Sequence, residues 1–240
     1  MSPIEIDFEA SGEKSTQTMV LENNSNKVIA VSIDAYERSM DIKGKETRVS
    51  TKDFVVFPQQ RSLQPQEKRS FRIMYVGKKE LKSEKSYRLH VKQLPIQLDV
   101  KKGKKAQVQL SLNVNYMASL YVAPEDVKEN LALKLISKSK KSDKLPKLRD
   151  GIDIPRDWVK VRVDNTGSRH AILRDYEFFI LKSDERLEKV DKTTLGHHVA
   201  GTNILANSKR ELFVGLPKNT YSKKLKLVLK KKEQQSRRGS

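Results

Sequence analysis

Apolar and polar residues alternate with a period of two along much of the chain, a pattern typical of β-strands with one buried face. In the first half this alternation predicts short strands that end at turn-forming residues, at 4–9, 16–21, 28–36, 54–57, 69–76 and 87–94. Several short strands within about 120 residues favour a β-sandwich over a helical fold.

The longest alternation runs from Ala106 to Val122, with polar residues on one face and apolar residues on the other. The apolar positions are Val108, Leu110, Leu112, Val114 and Tyr116. Strands usually contain about 5–6 residues, so this pattern is unusually long for an internal strand. It fits a long strand that packs on its own core. It also fits a strand whose far end projects past its own sheet and offers apolar side chains to a partner. Periodicity alone favours the first interpretation.

The pattern of residues along the chain changes after Pro124, where we place a boundary between domains 1–124 and 125–240. The second half predicts strands at 131–136, 158–163, 176–181, 210–214 and 225–229, which indicates a smaller β domain. Residues 137–149 form a Lys- and Ser-rich segment that is typical of a basic loop, and residues 223–240 form a basic tail with eight Lys or Arg. The sequence therefore predicts an all-β protein.

The composition excludes several classes of protein. No apolar run approaches the roughly 20 residues that a membrane-spanning helix needs, so membrane insertion is not expected. The chain has no Cys, which excludes disulfides and thiolate metal sites. None of its four His residues stands in a metal or catalytic motif, and neither a P-loop nor a nucleophile–base signature occurs. We therefore expect no enzymatic activity, no cofactor and no metal.

The charge raises one alternative function. Lys and Arg number 49 and Asp and Glu 30, a net charge of +19. A basic β-sandwich could bind nucleic acid or another anionic surface through its cations. However, Lys outnumbers Arg by 34 to 15 and aromatic residues make up only 6% of the chain, so no platform for stacking bases is visible. Nucleic-acid binding is not expected, and a basic β-sandwich that binds nucleic acid or an anionic surface is kept as the alternative function.

Several ordered segments together resemble a known family. They are residues 54–58 with 63–73, residues 84–95, the long alternation 106–124, and in the second half residues 161–166 and 205–210. Their order and spacing are similar to those of the PapD-like periplasmic chaperones, which assemble pili by the chaperone–usher pathway. The resemblance spans almost the whole chain, except for the basic loop and the tail.

The resemblance implies two immunoglobulin-like β-sandwich domains in a boomerang arrangement. It implies that the long strand, with Val108, Leu110, Leu112, Val114 and Tyr116, inserts into pilin subunits that lack a strand, which is donor-strand complementation. The other implied partner is an outer-membrane usher, and the implied location is the periplasm. No secretory signal begins this sequence, so an exported protein would be present here in its mature form. The free protein is expected to self-associate through the uncovered donor strand or to keep the start of that strand disordered.

The sequence departs from the best-studied branch of that family at the cations that hold the subunit's terminal carboxylate. Asp7 and Ser119 stand at those two places. Arg88 stands where that branch has an aromatic or apolar residue, and in this it resembles the alternate and archaic branches. We therefore predict that Arg88 is the carboxylate anchor, since a guanidinium can bind a carboxylate with two hydrogen bonds. Lys92, on the same strand face, is a weaker second candidate, and the alternative is that both are solvated strand charges.

Overall fold

The computed structural model describes residues 1–95, 115–141, 143–146, 156–222 and 224–233. The chain forms two compact units. One contains Met1–Ser39 and Thr47–Asp126, and the other contains Met40–Glu46 and Val127–Ser240. The regular secondary structure of the described residues is mostly β-strand with a few short helical turns, which confirms the predicted all-β fold class.

The first unit is a sandwich of two sheets. One sheet has the order β1-β9-β8-β3-β4, with β6 also paired to β3, and the other has the order β2-β7-β5. β1 runs parallel to β9, whereas β8 is antiparallel to both β9 and β3. The strands are β1 (Glu5–Glu9), β2 (Thr16–Glu22), β3 (Ile29–Met40), β4 (Glu46–Ser50), β5 (Phe54–Phe57), β6 (Gln60–Leu63), β7 (Lys68–Tyr75), β8 (Lys85–Leu94) and β9 (Asn115–Ala123).

The core of this unit contains a cluster of aromatic rings around Phe54. Its ring meets those of Phe8, Tyr75 and Tyr87 edge-on, with centroids 5.0–5.3 Å apart. The Tyr87 hydroxyl donates a hydrogen bond to Asp53 Oδ2 at 2.6 Å. Burial, followed by this bond, raises the pKa of Tyr87, so the phenol stays neutral and the buried oxygen is satisfied.

The second unit contains two three-stranded sheets, β10-β11-β16 and β14-β13-β17, and a short pair, β12-β15. Its core is aliphatic around Phe178. The elements are β10 (Leu131–Lys138), β11 (Arg156–Asn165), β12 (Ala171–Ile172), β13 (Tyr176–Leu181), β14 (Leu187–Lys189), α1 (Lys192–Leu195), α2 (His197–Ala200), β15 (Asn203–Ile204), β16 (Ser208–Pro217) and β17 (Lys226–Lys231).

The structure corrects the sequence-based prediction at several boundaries. β4 and β6 were missed because nearly all of their side chains are exposed or half-buried, so no apolar alternation marks them. The predicted loop 137–149 begins too early, since β10 continues to Lys138 and pairs with β11. Part of the predicted basic tail is also a strand, because β17 pairs with β13. Residues 142, 147–149, 223 and 234–240 of these two segments lie outside the described residues.

Each unit has one buried asparagine that joins its loops in the same way. The amide nitrogen of Asn23 donates to the carbonyls of Lys27, Leu63 and Gln64 at 2.8–3.2 Å. The amide nitrogen of Asn165 lies near the carbonyls of Arg169, Ile204 and Leu205 at 2.7–3.4 Å. The acceptors follow the asparagine at nearly equal sequence distances in both units, so the same pattern of hydrogen bonds connects the loops of each domain.

Candidate functional site

The side chains of β8 alternate between the core and the opposite face of the sheet. Tyr87, Leu89 and Val91 are buried in the core of the first unit. Arg88, between the first two, therefore points away from that core and is half-buried. Both of its neighbours are fixed by packing, so the backbone that carries the guanidinium is held in one position.

Ser119 on β9 orients the Arg88 side chain. The two residues are opposite each other in the antiparallel β8–β9 pair, and Arg88 Nη1 donates to Ser119 Oγ at 2.6 Å. Ser119 lies between two fully buried residues, Ala118 and Leu120, so it also points away from the core. The sequence marked Ser119 only as a missing cation. In the structure its hydroxyl directs a cation from the neighbouring strand.

A second arginine reaches the same strand from β3. Arg38 Nη1 donates to the Tyr121 hydroxyl at 3.4 Å, and both residues are buried, with Arg38 only 5% exposed. On the parallel strand β1, Glu5 is opposite Ser119 and Asp7 is opposite Tyr121. The residues paired across the sheet at Ser119 form one row, and those at Tyr121 form the next row on the same face. Each row contains an acid on β1, a hydroxyl on β9 and an arginine that binds that hydroxyl.

Sequence reasoning missed Arg38 as a member of this face. Its place in the period-two pattern of β3 gives the direction of the side chain. It does not reveal that a charged residue is buried there or that it reaches Tyr121. That information needs the pairing order of β3, β8 and β9, which a single sequence does not contain.

Lys92 lies on the same face as Arg88 but in a different row. It is exposed and opposite Asn115, whereas Arg88 is opposite Ser119. Four residues of strand separate the two α-carbons by about 13 Å. His90 lies between them, with its ring centroid 6.3 Å from that of Tyr36. Lys92 is therefore a separate charge on this face, whereas Arg88 has a hydroxyl that directs it.

The predicted subunit-binding residue Tyr116 is the second residue of β9. Tyr116 shares the core-facing side of the strand with Ala118, Leu120 and Val122. Those three are fully buried, whereas Tyr116 is 50% exposed. The domain's own core therefore ends between Ala118 and Tyr116. The other predicted positions on this side, Val108, Leu110, Leu112 and Val114, lie outside the described residues.

The described residues show neither a metal-binding group nor a membrane-spanning helix. Among them, no group of three or more His, Asp or Glu side chains is arranged so that it could hold a metal ion. None of the helices in the described ranges has the length and apolar character needed to cross a membrane.

Comparison with known proteins gives matches to one family. The family model described as pili and flagellar-assembly chaperone, PapD N-terminal domain, matches residues 3–128. In the comparison with curated proteins, no sequence matches the chain.

Solved structures of pilus chaperones share the fold. One is the CsuC–CsuE chaperone–tip adhesion subunit pre-assembly complex from the archaic chaperone–usher Csu pili of Acinetobacter baumannii, with 16% identity, 95% of each chain covered and a TM-score of 0.56. Another is the class 5 fimbriae chaperone CfaA, with 16% identity, 95% of this chain and 97% of that chain covered and a TM-score of 0.54. A third is the E. coli chaperone DraB, with 17% identity, 90% and 82% covered and a TM-score of 0.51.

Proposed function

Because the chain belongs to the family of PapD-type pilus-assembly chaperones, we propose that it caps pilus subunits in the periplasm by donating a strand to them. The family is non-enzymatic, so the function is binding alone. In the proposed cycle the chaperone holds a subunit that lacks one strand and delivers it to an outer-membrane usher. The divergent branch, alternate or archaic, remains a prediction from the Tyr87-Arg88 pair.

The observation that carries the proposal is the half-exposed Tyr116 at the start of β9. It is the first position on the core-facing side that the domain's own core does not cover. The sequence continues the same alternation backwards to Val108, so a strand that kept this register would present four more apolar side chains on that side. Such a strand fits a partner with an open hydrophobic groove.

The energy of strand donation is large enough for stable capping. Each Leu or Val that becomes fully buried contributes about 1.5–3 kcal/mol. Leu110, Leu112 and Val114 would be the main pocket-filling residues, and main-chain hydrogen bonds would add to the affinity. The partner also gains, because an open sheet edge is prone to aggregation until another strand covers it.

The proposed anchor for the subunit's terminal carboxylate is Arg88. Two observations support this role. Ser119 directs the guanidinium by a hydrogen bond, and the residues on either side of Arg88 are packed in the core. Lys92 remains the weaker second candidate on the same face. An anchored carboxylate would set the register of the donated strand, since one end of the subunit would be fixed at a defined row of the sheet.

Without a subunit, we propose that the chaperone self-associates through the donor strand. Large apolar surfaces are seldom left open to water. The five-residue run Lys101-Lys102-Gly103-Lys104-Lys105, which precedes the strand in the sequence, would limit the growth of such assemblies by charge repulsion. A monomer with uniformly slow amide exchange over residues 108–114 would contradict this proposal.

The proposed function is tested by co-purifying pilus subunits from a periplasmic extract. We expect Leu112→Asp to abolish co-purification while the circular dichroism spectrum stays that of the folded protein. The matched control is Ser111→Asp, which places the same charge on the other side of the strand and should retain the subunit. If Leu112→Asp unfolds the chaperone, the residue belongs to the core. If both variants retain the subunit, the strand is not the donor.

A further inference from the structure

We propose that Glu5 is a specificity-determining residue of the Arg88 site, where its carboxylate competes with an incoming carboxylate for the guanidinium. The proposal rests on the proposed function only in assigning Arg88 the role of carboxylate anchor. Its effect is to make the site reject free anions in favour of a carboxylate that is tethered to a bound strand.

Three strands bring Glu5 and Arg88 into one row. Glu5 is opposite Ser119 in the parallel β1–β9 pair, and Arg88 is opposite Ser119 in the antiparallel β8–β9 pair. The N–H of Ser119 also donates to the carbonyl of Ile4 at 2.9 Å, which fixes the β1–β9 register at this point.

The side chains of this row share one face of the sheet. On β1, Ile6 and Phe8 are buried in the core, so Glu5 points to the opposite face. Ser119 and Arg88 also lie between core residues and point the same way. Because all three share that face, the hydroxyl of Ser119 lies between the acid and the arginine.

The hydrogen bond to Ser119 directs the arginine towards the acid. Neighbouring strands are about 4.8 Å apart, so the α-carbons of Glu5 and Arg88 are separated by about 10 Å. Arg88 Nη1 is 2.6 Å from Ser119 Oγ, which places the guanidinium over β9 and halves the gap to β1. A glutamate side chain is long enough to reach it there, and Glu5 is only half-buried, so its carboxylate can also move away into solvent.

This arrangement gives the anchor a defined selectivity. A free anion must displace Glu5 without the help of a tether, and it gains little because the guanidinium already has a negative charge beside it. The terminal carboxylate of a bound subunit is held close by the donated strand, so its effective concentration is high and it displaces Glu5. The guanidinium is thereby protected from ordinary anions and remains available to the subunit.

The test measures the binding of acetate to the full-length chaperone without any subunit. The side-chain N–H signal of Arg88 is followed by NMR during titration with sodium acetate, against sodium chloride at equal ionic strength. We expect Glu5→Gln to strengthen acetate binding about three- to tenfold, since one nearby like charge is removed. The matched control is Glu9→Gln on the same strand and face, which is opposite Ala123 and pairs with Lys14 at 2.6 Å, and it should leave acetate binding unchanged.

Three results would overturn the proposal. Acetate binding could be the same in Glu5→Gln as in the wild type, Glu9→Gln could strengthen it equally, or the gain could persist when Arg88 is also changed to Ala. These outcomes are independent of the proposed function. A chaperone that binds no pilus subunit but shows the Glu5-dependent acetate effect would refute strand donation alone.

Discussion

Replacing Arg88 with Ala tests whether this residue anchors the subunit. The guanidinium has five N–H donors, and Nη1 binds Ser119, so an incoming carboxylate that displaces Glu5 could form a bidentate pair with it. Hydrogen bonds to a charged group contribute about 1.5–3 kcal/mol. Arg88→Ala should therefore weaken the chaperone–subunit complex by about 10- to 100-fold. Arg88→Lys should restore only part of this affinity, because an ammonium cannot make the two-pronged contact.

The assay compares dissociation constants for subunits with a free or an amidated C-terminus. Amidation should weaken binding to the wild-type chaperone as much as Arg88→Ala does, and it should have no further effect on the variant. Arg72→Ala is the control, since it removes an exposed arginine from β7, in the other sheet of the same unit. If amidation and Arg88→Ala weaken binding additively, the two groups do not interact. The anchor then lies elsewhere, and Lys92 is the next residue to test.

Three further predictions concern stability. Asn23→Ala should lower the free energy of unfolding by about 2–4 kcal/mol in denaturant titrations, because three carbonyls lose their amide donor, whereas the exposed neighbour Asn24→Ala should have little effect. Tyr87→Phe should cost about 1–2 kcal/mol through loss of the bond to Asp53, and an unchanged melting temperature would contradict this. Burial opposes ionisation of Glu129, but hydrogen bonds from Lys231 and Tyr176 outweigh it and lower its pKa below the ordinary 4.5. Glu129 therefore stabilises the fold at higher pH and loses this effect as pH falls through its lowered pKa, so Glu129→Gln should flatten the acid end of the stability profile.

The strands with a buried face were predictable from the sequence because their patterns record that burial. β5 and β13 have the predicted bounds, since Phe54 and Phe178 mark core-facing positions within them. β4 was not predictable, because an edge strand without a buried residue leaves no period-two signal. The family resemblance, which rested on ordered segments across the chain, is confirmed by the match over residues 3–128.

The site was predictable only as far as strand alternation allows. Alternation along the strand predicted at 87–94 places Tyr87 and Leu89 on the face opposite Arg88, and in the structure both are buried in the core. The residues that share a row with Arg88 were not predictable, because Ser119 lies 31 residues and Glu5 83 residues away in sequence, and only the strand register brings them together. The role of Arg88 as anchor stays a prediction.

The buried asparagines also determine how the protein ages chemically. Deamidation converts an asparagine to an aspartate, which accepts hydrogen bonds but cannot donate them when ionised. At Asn23 or Asn165 the new carboxylate would face carbonyl oxygens that the amide nitrogen had satisfied, so an attraction would become a repulsion at the point where the loops meet. Deamidation at either position would therefore open the loops of one domain, so the working lifetime of the protein depends on these two amide groups.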